Sequence, residues 1–273
     1  MNNRVWQASL DLRFRSDGIR TVIDKKKHFG PLRIQKPFYP EDGACHTYIL
    51  HPPGGTAGGD ELDITVEVKN KGAALLTTPA SAKIYRSARA ISRVTNTLSL
   101  EDDSSLEWLP QDTVLFGGSR LAQATMINAT SRSRFIVWEI SSLGRQASGD
   151  YYEDGELEQS LRIDIDGIPR LIERQGWNAG DLILSSAWGL NSNTAFGSLY
   201  GFPADVEVLR HARDVINKDG FYEMAATLVD DILVIRGIAM DAVKLRSAFV
   251  RVWSQLRQFI ARLQPSPPRI WAT

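Results

Sequence analysis

The first regular pattern in the chain is an alternation. From Val5 to Arg15, Trp6, Ala8, Leu10, Leu12 and Phe14 face one way and Gln7, Ser9, Asp11, Arg13 and Arg15 the other, the period of two that marks a half-buried strand. A second alternation sets Leu62, Ile64, Val66 and Val68 against Glu61, Asp63, Thr65, Glu67 and Lys69. Turn signals recur at Gly18, Gly30-Pro31, Asp42-Gly43, Asn70-Lys71-Gly72, Gly117-Gly118, Asp154-Gly155 and Asp166-Gly167, and the segments between them favour Val, Ile, Thr, Tyr and Trp. The pattern predicts a mainly β protein with a large multi-stranded body, antiparallel or mixed, β-helix-like or built of stacked sheets.

Two segments break this rhythm and predict two α-helices in the C-terminal third. The first runs from about Pro203 to Asn217, with Val206, Leu209, Val215 and Ile216 roughly at helical spacing. The second runs from Asp241 to Leu263, where Leu245, Phe249, Val252, Leu256, Phe259 and Leu263 recur at steps of three and four and Trp253 and Ile260 widen the stripe. Pro265, Pro267 and Pro268 end it. Between the helices, residues 222 to 238 read as a strand pair turning at Asp230-Asp231. The expected organisation is one domain over residues 1–273: a β body to about 200, the helix, strand pair and helix from about 203 to 263, and a tail from 264. The stretch from Ala187 to Gly201, rich in Ser, Asn and Gly, reads as a mobile loop.

Charge and cysteine content narrow the partners. With 32 basic and 32 acidic residues the chain has no net field to draw in nucleic acid or acidic membranes. Its one cysteine, Cys45, fits a reducing compartment, so the expected location is cytoplasmic. The N-terminus lacks the form of a secretory leader, and no run approaches the ~18 apolar residues of a membrane span.

Candidate chemistry centres on the loop His51-Pro52-Pro53-Gly54-Gly55-Thr56-Ala57-Gly58-Gly59-Asp60. A phosphate-binding loop would need Gly-Lys-Ser/Thr opening a helix, whereas here Gly58-Gly59 leads into Asp60 and a strand. Ser81 and Lys83 alternate on one face of Thr77 to Arg86 and would supply a Ser-Lys hydrolase with its nucleophile and base, though no supporting motif accompanies them. Cys45, His46 and His51 are weaker metal candidates, since the ends of a straight strand from 45 to 51 lie ~20 Å apart. The stripe Glu61, Asp63, Glu67 with Asp60 before it has two readings: a solvated sheet face, or a polar lane that holds divalent cations weakly and passes them on. Arg269, Ile270 and Trp271, after the prolines, suit a partner anchor or plain packing.

Taken in order, several segments resemble one family. They are Gly30-Pro31-Leu32-Arg33-Ile34-Gln35-Lys36-Pro37-Phe38-Tyr39-Pro40-Glu41, Cys45-His46, His51-Pro52-Pro53-Gly54-Gly55 with Gly58-Gly59-Asp60, Thr77-Thr78-Pro79 with Lys83-Ile84-Tyr85-Arg86-Ser87, Glu107-Trp108-Leu109-Pro110-Gln111-Asp112, Trp138-Glu139 with Leu143-Gly144-Arg145, and Arg269-Ile270-Trp271. Together they resemble the urease accessory proteins of the UreD (or UreH) type. The resemblance implies a non-catalytic scaffold with no stably bound cofactor, which docks the helical partner UreF and, through it, the GTPase UreG on apo-urease while a nickel ion passes in transit. It also implies an internal polar tunnel, for which Asp60, Glu61, Asp63 and Glu67 are the first candidates and Asp112 and Glu139 further ones. Phe249, Trp253 and Leu256, with the tail residues Arg269, Ile270 and Trp271, are the candidates for the partner surface. A free-standing nickel-binding chaperone is the main alternative.

Overall fold

The computed structural model describes residues 6–40, 43–221 and 223–272; Val5, Glu41, Asp42, Tyr222 and Thr273, which entered the expectations above, lie outside that set. In chain order the strands are β1 (Gln7–Ser16), β2 (Thr21–Phe29), β3 (Arg33–Ile34), β4 (Cys45–Leu50), β5 (Glu61–Lys69), β6 (Ala73–Thr77), β7 (Ala82–Ile84), β8 (Ser92–Leu100), β9 (Ser105–Trp108), β10 (Thr113–Leu115), β11 (Ser119–Ala129), β12 (Arg134–Leu143), β13 (Gly155–Ile165), β14 (Ile168–Asn178), β15 (Ala195–Phe202), β16 (Met224–Val229) and β17 (Ile232–Ala239). The helices are α1 (Leu182–Ser185), α2 (Val206–Lys218) and α3 (Ala242–Ile260).

The strands form two stacked sheets. One has the order β14-β13-β11-β8-β5-β1-β2 and the other runs β16-β17-β15-β12-β9-β6-β4-β3, with β10 beside the far end of β12 and β7 beside β10. From β5 to β13 the chain passes back and forth between the sheets, and each return lays a strand parallel to the one before: β5, β8, β11 and β13 in the first sheet, β6, β9 and β12 in the second. The result is a two-sheet solenoid. Antiparallel strands finish its ends, β2 on β1 and β14 on β13 in the first sheet and β15, β17 and β16 in the second, so the parallel coils do not end in a bare edge of their own.

The alternations read from the sequence are the packing. Leu10, Leu12 and Phe14 of β1 and Val66 and Val68 of β5 point between the sheets, against Leu76, Leu106, Phe135, Val137, Tyr200 and Phe202. The outer face of the second sheet is also apolar, because α2 and α3 cover it. Ile136, Trp138, Leu199, Leu233 and Ile235 pack there against Val208, Ala212, Leu245, Phe249, Val252, Trp253, Leu256 and Ile260. Each helix opens on an aspartate that accepts two backbone N–H bonds: Asp205 from Glu207 and Val208, Asp241 from Val243 and Lys244. Such a cap is worth about 1 kcal/mol. A third apolar cluster, around Leu121, Leu143, Leu157, Trp177 and Phe196, closes the end of the sandwich where β12 runs into β13.

Beneath α3 the fold buries a charge pair that the helical stripe does not announce. The Glu107 carboxylate receives Arg257 through Nε at 2.9 and 3.0 Å and through a second guanidinium nitrogen at 2.6 Å, and Trp253 Nε1 donates to it at 2.6 Å. Neither charged residue is exposed. Arg257 also donates to the Gln264 carbonyl at 2.5 Å, which draws the tail back over the sheet. There Trp271 stacks on Trp138, meets Trp253 edge-on and donates Nε1 to Thr77 Oγ1 at 3.0 Å.

Three local expectations need correction. Phe249, Trp253 and Leu256 are buried in this chain's own core, because the stripe they form faces the second sheet; they present no surface to a partner. The stretch Ala187–Gly201 is only half a loop: from Ala195 it is β15, hydrogen-bonded between β12 and β17, a central strand buried on both faces, with Tyr200 in the main core, Leu199 beneath the helices and Phe196 in the terminal cluster. The run from Thr77 to Arg86 is not one strand, because β6 ends at Thr77 and β7 spans only Ala82–Ile84.

A polar layer between the sheets

Parallel register places equivalent positions of successive coils side by side, and at one level these positions are polar. In the first sheet Gln123 of β11 pairs with Gln159 of β13, which pairs with Gln175 of β14; one step along, Asn96 of β8 pairs with Thr125 of β11. In the second sheet Glu139 of β12 pairs with Ser198 of β15, and Ser198 with Arg236 of β17. The two rows face each other between the main core and the terminal apolar cluster. Polar groups buried at this level need partners, and most of them find each other.

Glu139 is the centre. Thr125 Oγ1 donates to its Oε1 at 2.5 Å and Gln123 Nε2 to the same oxygen at 2.9 Å, while Asn96 Nδ2 donates to Thr125 Oγ1 at 3.1 Å. Burial pushes the Glu139 carboxyl above the usual glutamate range; the bonds from Thr125 and Gln123 oppose that shift and the nearby Glu173 adds to it. The row continues through Gln159, which donates to Ser141 Oγ at 3.1 Å and accepts from Gln175 at 2.8 Å. Beyond it, Glu173 accepts from Tyr200 Oη at 2.9 Å and pairs with Arg236. Burial and the Glu173 charge hold the Tyr200 phenol protonated. The Asn96 Oδ1 is buried without a hydrogen-bond partner.

Openings flank the layer. On one side lies a cavity of about 230 Å³ whose lining includes His51, Gly55, Ser81, Lys83, Asn96, Gln123 and Glu139. On the other, a groove is lined by Gln159, Glu173, Gln175, Tyr200, Arg236 and again Glu139. Glu139 therefore borders both spaces and is partly exposed to them. In the cavity wall Ser81 Oγ donates to Asp112 Oδ1 at 2.8 Å; that hydroxyl serves Asp112 rather than facing a lysine base. Burial lowers the His51 imidazole below its usual range, against a weaker pull from Asp60.

The loop from His51 to Asp60 forms part of the cavity wall. Gly54 and Gly59 have φ of +76° and +92°, conformations that L side chains rarely adopt. Gly55 has no room for more, since a Cβ there would lie 2.4 Å from the Tyr85 ring. Asp60 is the loop's clasp: its carboxylate accepts the backbone N–H of Ala57 at 2.8 Å and of Trp6 at 3.3 Å.

The other predicted residues lie apart from this layer. Glu61, Asp63 and Glu67 stand on the outer face of the first sheet, opposite in phase to the core residues Leu62 and Val66. Glu61 accepts from Gln7 and Glu67 from Arg13 at 2.8 Å. They do not line the space between the sheets. Cys45 and His46 are buried in β4, with Cys45 in the main core. Among the described residues no group of three or more His, Cys, Asp or Glu side chains gathers as a metal site. Of the tail residues, Arg269 is exposed and Ile270 and Trp271 are partly buried. Asn96, Gln123, Gln159, Glu173, Gln175, Tyr200 and Arg236 were not singled out from the sequence. Their signal was a polar residue in the buried phase of a strand, as in Leu121-Ala122-Gln123-Ala124-Thr125-Met126-Ile127.

Fold and layer together define a two-sheet solenoid that encloses a row of oxygen and amide donors and backs one sheet with two helices. Among the described residues, no helix is long and apolar enough to cross a membrane. The chain belongs to the UreD urease accessory protein family, whose model it matches over residues 7–272. It is 38% identical over 269 residues to the urease accessory protein UreD of Alkalilimnicola ehrlichii, covering 98% of this chain and 92% of that one. The UreD proteins of an Enterobacter species and of Klebsiella aerogenes are 38% and 37% identical, each over 98% of this chain and over 96% and 97% of their own.

Proposed function

We propose that this chain is a non-catalytic, cytoplasmic scaffold of urease maturation, which docks UreF and, through it, the GTP-binding UreG on apo-urease and lets a nickel ion cross it on the way to the metallocentre. The observation that carries this reading is Glu139: one partly buried carboxyl between the sheets, reached from a cavity on one side and a groove on the other. The cavity wall is largely apolar, with Leu32, Ile49, Leu62, Ile64, Val94 and Trp108, and the oxygen and amide groups set into it, Ser81, Asn96, Gln123 and Glu139, hold a divalent cation loosely and so suit transfer better than storage. The chain holds no cofactor of its own in this scheme, and GTP hydrolysis belongs to the partner.

Each group has a role. His51, Ser81 and Asp112 shape the entry, Gln123 and Thr125 hold Glu139 in one rotamer, and Gln159, Gln175 and Glu173 continue the polar row to the groove. The test is urease activation in cells whose own copy of this gene is deleted. Glu139→Ala is expected to lower activity and urease nickel content while the accessory complex still assembles; Asp63→Ala and Glu67→Ala, on the outer face, are expected to leave both unchanged. Full activation by Glu139→Ala would remove the layer from the path. Tight nickel binding by the isolated chain in equilibrium dialysis would favour a stand-alone nickel chaperone instead.

A further inference from the structure

The cavity beside Glu139 carries more apolar wall than a metal ion in transit uses. Ile49 and Trp108 of the second sheet and Leu62, Ile64 and Val94 of the first line it. An ion gains nothing from such walls, which put carbon where it would have water, whereas an organic molecule gains by burying its own apolar surface against them. A protein cavity of about 150 Å³ takes benzene, so the volume of about 230 Å³ here has room for a ring with a short arm.

The polar groups of this wall are left with oxygen atoms to fill. Asn96 of β8 stands in register between Ile64 of β5 and Thr125 of β11 and is 4% exposed. The Thr125 hydroxyl gives its one hydrogen to Glu139, so it can only accept from Asn96, and the amide is fixed with Nδ2 toward Thr125. The Asn96 Oδ1 is thereby buried in a lining side chain with no hydrogen-bond partner, an exception that calls for a donor. The bonds that Glu139 receives from Thr125 and Gln123 both fall on Oε1; Oε2 takes neither.

Both oxygens are acceptors, and the charge set into the wall is negative. His51 is held below its usual range by burial and is neutral at pH 7; Lys83 is exposed, where solvent screens it. On the groove side Arg236 is engaged by Glu173, and Tyr200 keeps its proton. We propose that the cavity binds a small organic ammonium, whose N–H groups bond to Glu139 Oε2 and Asn96 Oδ1 and whose apolar body lies against Ile64, Val94 and Trp108. An anionic ligand would meet a carboxyl with no cation in the wall to offset it. The positive head group counters the burial that raises the Glu139 carboxyl and draws it into the charged form. Such a site exists whether or not nickel crosses the chain; where it does, ammonium and ion compete for one carboxylate.

The probe is phenethylammonium, with phenethyl alcohol and hydrocinnamate as its neutral and anionic counterparts, each titrated into the purified full-length chain in phosphate buffer at pH 7 and followed by calorimetry. The amine is expected to saturate one site, the alcohol to bind roughly tenfold more weakly for want of the charge-assisted bonds, and the anion not to bind. Glu139→Gln, checked for folding by its thermal midpoint, should weaken the amine roughly tenfold and leave the alcohol unchanged. Val94→Phe, which fills the cavity from the side opposite in phase to no charge, should weaken amine and alcohol alike. The proposal is overturned if the folded wild type does not bind the amine, binds amine and alcohol equally or prefers the anion, or if amine affinity is the same in both variants as in wild type. Urease plays no part in these titrations, so their failure leaves the passage reading standing; full activation by Glu139→Ala would remove the passage and leave the amine site as measured.

Discussion

Replacing Arg257 with Met tests how the helical layer is fixed to the sheets. In the native fold the guanidinium makes three short contacts with the Glu107 carboxylate, and both groups are wholly out of solvent. The substitution keeps most of the side-chain volume but strands Glu107 with Trp253 Nε1 as its remaining donor. A buried charge stripped of its partner costs about 3–5 kcal/mol, and the Gln264 carbonyl, near the surface, adds little. If Glu107 is replaced by Leu in the same chain, no charge is left buried and the chief residue is the orphaned indole N–H, worth about 1–3 kcal/mol. The double variant should therefore be more stable than the Arg257→Met single, although it has lost more polar contacts. Urea unfolding followed by tryptophan fluorescence reads this directly as midpoints at constant slope. A single variant costing under about 1 kcal/mol, or a double variant whose loss equals the sum of the singles, would refute the account.

Two further predictions concern the polar layer and the tail. Because Glu139 is held protonated above the usual glutamate range in the fold, the unfolded chain loses that proton first as pH rises. The folded state then binds more protons, so its stability falls between about pH 4.3, the ordinary glutamate value, and the raised native value. Glu139→Gln removes this penalty, so its thermal midpoint relative to wild type should climb across that window and level off above it; a gap that does not change with pH would show the carboxyl is not so perturbed. Trp271→Ala removes a stack on Trp138, an edge contact with Trp253 and the bond to Thr77. For a partly buried tryptophan this should cost about 2–3 kcal/mol, read by the same unfolding curves, and no loss would show the tail to be a passenger.

Much of the fold is legible in the chain because its causes are local. The period-two faces of β1 and β5, the three-and-four spacing of α3 and the turn at Asp230 each report burial a few residues away, and each element lies close to its expected place. What stayed hidden depends on pairing across long sequence separations. Glu61, Asp63 and Glu67 are a carboxylate stripe in sequence, but which side of a strand faces the second sheet is decided by Leu62, Ile64 and Val66, and these take the inside. Phe249, Trp253 and Leu256 mark an apolar stripe without saying whether it covers this chain or another. Glu139 was legible as a carboxyl flanked by Trp138 and Ile140; its meeting with Gln123 and Thr125 was not, because β11 and β12 belong to different sheets.

The alignment of Gln123, Gln159 and Gln175 is a property of register rather than of composition. Successive coils agree on where their polar positions fall, much as the bitting of a key must agree along its length. One residue inserted in β11 ahead of Gln123 would turn Gln123 and Thr125 outward and bring Ala122 and Ala124 inward. The sandwich could still close over the alanines, so the protein would keep its shape while the row was broken at a single coil. Loss of passage and loss of folding are for that reason separable faults in this architecture, and a length change within β8, β11 or β13 is the lesion that would divide them.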